Sequence, residues 1–153
     1  MITYEGPFAH IATYKTGQAG ELAQWLPVAD PGPLVVVYEC EFEVQAGDLL
    51  TVHSEGQCTN DRGLPTYVSS MLLLEIGVSK WELQEENGTN VEPDDHHDRV
   101  AKGGAIKCNV SGLAKVQHAW RATDNRPSLP GHAADIRVDL DYGAMMVRHE
   151  RRA

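Results

Sequence analysis

The run Asp94-Asp95-His96-His97-Asp98 sets five potential metal ligands side by side. Carboxylates and imidazoles are the side chains that hold divalent cations. In an extended backbone, adjacent side chains point to opposite faces, so His96 and His97 cannot both reach one ion. A metal site here needs ligands from elsewhere, such as His118 or His132. The metal candidates are therefore His96, His97 and His118. A polar loop held by one inward histidine explains the same residues without a metal. His118 falls on the apolar side of its own strand pattern, where a lone histidine is more often a hydrogen-bonded core residue than a ligand. His53 and Glu55 share an outward strand face and could begin a polar site; surface alternation accounts for them equally well.

Other chemistry lacks its signature. There is no nucleophile elbow, phosphate loop or paired-carboxylate pattern. The paired His-X-His and downstream glutamate of a cupin metal site are missing. Cys40, Cys58 and Cys108 are odd in number and widely spaced, which gives no disulfide framework and no zinc pattern. All three fall on inward strand positions and read as buried free thiols. No cofactor is implied.

The elements that must position these residues are strands. From Leu34 to Val44, Leu34, Val36, Tyr38, Cys40, Phe42 and Val44 alternate with Glu39, Glu41 and Glu43. Such period-two alternation marks a half-buried strand. Ala46-Gly47-Asp48 turns the chain into Leu49 to Thr59, with Leu50, Val52 and Cys58 inward. A hairpin is expected between these two. Tyr67 to Val78 places Leu72, Leu74, Ile76 and Val78 on one face. Met71 and Leu73 sit on the other face, which should be polar. A strand apolar on both faces is either central or covered by another subunit. Met71 and Leu73 are thus the interface candidates.

Residues 80–104 break the alternation and are expected to form a long loop. Strands resume over 105–110 and 114–123, and 125–133 reads as a second loop. Ile136, Val138, Leu140 and Tyr142 alternate with Asp135, Arg137, Asp139 and Asp141; after Gly143 the phase flips to Met145 and Val147. A glycine at a phase change marks a bulge or bend. Phe8 to Tyr14 could be a strand, and Glu21 to Leu26 a strand or one helical turn. The expectation is one domain over 1–153, an all-β antiparallel sandwich of jelly-roll type, with about eight strands.

Composition narrows the function. The net charge of -9 disfavours phosphate backbones as partners, so no nucleic acid is expected. No apolar run approaches the roughly 20 residues that span a bilayer. The N-terminal residues lack the basic start and apolar stretch of a signal peptide, which points to a virion or cytoplasmic location.

Val44-Gln45-Ala46-Gly47-Asp48, Gly88-Thr89-Asn90 followed by His96-His97, and Val138-Asp139-Leu140-Asp141-Tyr142-Gly143 resemble small jelly-roll modules of bacteriophage tails, fibres and head decorations. Many of those trimerise. The resemblance implies a non-enzymatic structural or adhesive module that assembles with itself, as a homotrimer, or on other capsid or tail proteins. Two alternatives stand beside it. One is a carbohydrate-binding sandwich, in which Trp81, Trp120 and the 125–133 loop contact sugar. The other is a small metal-dependent enzyme using His96 or His97 with His118.

Overall fold

The computed structural model describes residues 8–14, 23–93, 95, 98–127 and 135–151. Among these, ten strands follow one another: β1 (Phe8–Tyr14), β2 (Ala23–Leu26), β3 (Val28–Ala29), β4 (Val35–Val44), β5 (Leu49–Thr59), β6 (Thr66–Ile76), β7 (Ser79–Val91), β8 (Asp98–Lys107), β9 (Gly112–Thr123) and β10 (Ile136–Arg151). They build two five-stranded sheets. In the first, β1 and β2 lie along β10, followed by β5 and β8. In the second, β3 and β4 lie along β9, followed by β6 and β7. No helix among the described residues is long and apolar enough to cross a membrane.

The pairing is nested about the Gly77-Val78 turn. β6 pairs with β7, β5 with β8, β4 with β9, and both β1 and β2 with β10, all antiparallel. The chain is one long hairpin, rolled so that β6 also meets β9 and β5 also meets β10. That is a jelly roll, as the alternation led us to expect. Each sheet is effectively four strands wide, which is why about eight strands were legible and ten are present.

Rolling explains the first correction. The expected hairpin between 34–44 and 49–59 does not form, because β4 and β5 lie in opposite sheets. Both strands carry apolar rows that must cover the core from opposite sides. The 45–48 turn is an arch between layers. Asp48 N–H donates to Gln45 O at 3.0 Å, Gln45 N–H to Asp48 Oδ2 at 2.8 Å, and Gly47 N–H to Cys108 O at 2.7 Å.

The second correction concerns 80–104, which is not a loop. It forms most of β7 and β8. Each is the outer strand of its sheet, paired on one side only. Charges along an open edge block stray pairing and obscure the period-two signal.

Phase errors are local. A register shift between Val36 and Tyr38 buries both Val37 and Tyr38 completely and leaves Leu34 exposed. Val78 is 99% exposed at its turn, and Tyr142 is exposed rather than inward. The flip near Gly143 is real: the β10–β5 register shifts between Asp139 and Ala144. A Cβ at Gly143 would stand 2.3 Å from Glu55 O and 2.6 Å from Gly56 Cα, so only glycine fits there. Leu26, Leu50, Leu72, Leu74, Val116, Trp120, Ile136 and Met145 are fully buried between the sheets. Each such side chain contributes about 1.5–3 kcal/mol. Cys40, Cys58 and Cys108 are buried free thiols, as expected.

Candidate functional site

The sandwich buries a polar row between its layers. Ser54 of β5, Ser70 of β6 and His118 of β9 all fall on the inward phase of their strands. His118 Nδ1 lies 2.7 Å from Ser54 Oγ, and Nε2 lies 3.0 Å from Ser70 Oγ. All three residues are fully buried. Whichever ring nitrogen carries the proton donates to one serine, and the other accepts from a hydroxyl. His118 thus ties one sheet to the other across the core. Trp120 packs beside it, with ring centroids 5.3 Å apart. The indole fits because β5 has Gly56 opposite, where a Cβ would stand 3.0 Å from the ring.

Ser70 also lines a cavity of about 160 Å³ between β6, β7 and β8. Asn87, Gly88, Thr89, Arg99 and Lys102 share its wall. Lys102 is inward on β8 and only 3% exposed. Its Nζ donates to the Asn87 side-chain oxygen and, at 3.3 Å, to Glu85 O. Burial lowers the Lys102 pKa, against the opposing pull of Glu85 and Glu86.

A serine within 3.0 Å of a histidine has the outline of a nucleophile and its base. The electrostatics are wrong for that role. Burial, and secondarily the Lys102 charge, hold His118 down to about 3. A ring so reluctant to take a proton is a poor base near neutrality. Its two partners are hydroxyls, where a catalytic histidine needs a carboxylate to stabilise the imidazolium. The arrangement can bridge two sheets and present polar groups to a cavity.

The metal candidates do not come together among the described residues. His96, His97, Asp94 and His132 lie outside them. Both nitrogens of His118 are engaged by serines, far from a loop surface. Among the described residues, no three His, Cys, Asp or Glu side chains are arranged to hold an ion. Asp95 and Asp98 do approach each other: burial and then the Asp95 charge raise the Asp98 pKa. On the outer face of the first sheet, Glu55 binds both His53, at 3.4 Å, and Arg99. This is an exposed ion-pair group.

Of the tryptophans proposed for sugar stacking, Trp120 is fully buried and Trp81 packs on the core from β7. Trp25, which was not among those candidates, is the more open ring, at 45%. The interface candidates fare unequally. Met71 faces outward yet is already 8% exposed within one chain, whereas Leu73 is half-buried. The sequence reading missed Ser54, Ser70, Asn87 and Lys102. Parity could have found Lys102: it shares the even phase of Ile106 and Cys108.

No family model and no curated protein matches this sequence. Solved structures do. The structure of the infectious bursal disease virus Gx strain aligns with a TM-score of 0.52 at 10% identity, over 95% of this chain and 38% of that one. The T13 viral particle of the same virus gives 0.50 at 10% identity, over 95% and 36%. The chain spans little more than a third of those viral chains. At such identity the likeness shows the fold alone, a jelly roll. TmCBM61 in complex with beta-1,4-galactotriose also aligns, over 98% of this chain and 90% of that one at 13% identity, but its TM-score of 0.37 is too low to carry an argument.

Proposed function

We propose that this chain is a non-catalytic structural or adhesive module that assembles with copies of itself, as a trimer, in a bacteriophage virion, as a decoration, tail or fibre component. The jelly roll is compatible with that role, and fold by itself assigns none. The observation that carries the reading is the outward row of β6 and β9. Met71, Leu73, Ala119 and Leu113 punctuate a sheet face that would be polar throughout if only water met it. Leu113 is 49% exposed, and Val78 stands clear of the chain beside it at the β6–β7 turn. Glu41, Lys115 and Glu75 form a charged row between Leu73 and Leu113, with a Lys115–Glu41 pair at 3.3 Å. Exposed apolar side chains on either side of a charged row offer both burial and polar pairing to a second copy. Because Met71 is already covered, the contact centres on Leu73, Leu113 and Val78.

Light scattering of the purified chain tests this. A stable trimer is expected, dissociating when Leu73→Glu and Leu113→Glu are combined. A wild-type chain that stays monomeric at high concentration overturns the assembly reading.

A further inference from the structure

β7 and β8 close the same side of the sandwich but belong to different sheets, so no ladder of backbone hydrogen bonds joins them. Lys102 and Asn87 meet across that gap. Asn87 stands opposite Ser70 in the β6–β7 register, at the rim of the cavity, and Lys102 reaches it from β8. The Lys102 amine has two acceptors, the Asn87 side-chain oxygen and Glu85 O, both neutral. No carboxylate lies within ion-pair distance of it among the described residues. An ammonium buried this deeply with no carboxylate in contact is unfavourable, and the more distant Glu85 and Glu86 offset that only in part. A neutral amine in the same place is a nucleophile held against an amide carbonyl.

We propose that Lys102 and Asn87 form an intramolecular isopeptide bond that staples β8 to β7. The Nζ lone pair attacks Asn87 Cγ, forming an Nζ–Cγ bond. The Cγ–Nδ2 bond breaks, and ammonia leaves through the open cavity. One proton passes from Nζ to the departing nitrogen as the Cγ–Nδ2 bond breaks. Nothing is oxidised or reduced, and no co-reactant is needed. Holding the two groups in contact supplies most of what a bimolecular aminolysis lacks. The lowered Lys102 pKa acts in the same direction, because it raises the share of neutral amine. This inference is independent of the assembly reading: a monomer could carry the bond.

Intact mass spectrometry of the purified full chain decides it. The expected mass is about 17 Da below that of the sequence, the loss of one ammonia. Proteolysis should then release one branched peptide joining the segments around 87 and 102. Lys102→Arg and Asn87→Ala should each restore the full mass. The wild-type peptide map settles the matter even if these variants fail to fold. Full sequence mass in the wild type after prolonged incubation overturns the proposal. So does a deficit that persists in Lys102→Arg, since Asn87-Gly88 can lose ammonia by closing a succinimide on its own backbone.

Discussion

Two buried histidines serve this fold in opposite ways. His118, at the centre of the sandwich, is 0% exposed and bonded to two hydroxyls. His149, near the end of β10, is 5% exposed and meets a carboxylate: its Nε2 lies 2.6 Å from Asp48 Oδ2. Arg151 joins the same carboxylate, with Nη2 3.1 Å from Oδ2. Similar burial therefore hosts a neutral relay in one region and a charged clamp in the other. The difference follows from position. The clamp fastens the 45–48 arch, where Arg151 remains 37% exposed and shares its charge with water. The relay has no such outlet, and a charge there would be stranded.

The largest predicted effect separates the two regions by pH. His118 is depressed from 6.5 to about 3 in the folded chain. The unfolded chain therefore takes up a proton that the native chain refuses. Stability is full above pH 6.5 and falls as the pH drops toward 3, by about 1.4 kcal/mol per pH unit. Urea melts at pH 6.5 and 4.5 should differ by roughly 2 kcal/mol from this group alone. His118→Leu should abolish that slope. At neutral pH the same variant should cost about 2–4 kcal/mol, because two buried serines lose their partner. Adding Ser54→Ala and Ser70→Ala should recover much of the loss. A wild-type slope that survives His118→Leu would show that the relay is not its source.

The clamp should answer in a lower window. Desolvation raises the Asp48 pKa, but Arg151, the Gln45 N–H and His149 outweigh it and bring the carboxyl down to about 2 from 3.8. Its contribution is complete above pH 3.8 and disappears as the pH falls toward 2, amounting to about 2 kcal/mol. Asp48→Asn should lose that amount at neutral pH and leave the slope between 6.5 and 4.5 untouched. Identical pH profiles for Asp48→Asn and His118→Leu would erase the distinction.

The relay was half legible in the sequence and the clamp was not. Period-two alternation placed His118, Val116 and Trp120 inside, because a central strand has one phase and no interruption. It could not supply Ser54 and Ser70, since small polar residues fit either face and only the paired sheet brings them to the ring. Asp48 looked like ordinary turn chemistry. Its partners lie 101 and 103 residues away, and only the nesting of β10 against β5 brings them there. Residues 80–104 failed for a third reason: edge strands carry charge on both sides, which removes the alternation that identifies a strand. The two-faced β6 was correctly seen as apolar on both sides, but its meaning depended on how much of Met71 the chain covers by itself.

The smallest expected effect is also the most discriminating. Arg151 is a partly exposed member of the clamp, and an ion pair shared with water contributes under about 1 kcal/mol. Arg151→Met should therefore cost less than Asp48→Asn, because the imidazole and the Gln45 N–H still hold the carboxylate. It should nonetheless raise the Asp48 pKa, since the largest lowering contribution comes from Arg151. The acid transition, followed by tryptophan fluorescence, should move up from about 2 toward 3.8 while neutral stability changes little. If Arg151→Met is instead as costly at neutral pH as Asp48→Asn, the clamp depends on the guanidinium rather than on the buried histidine. The contrast between the two histidines would then be one of neighbours, not of depth.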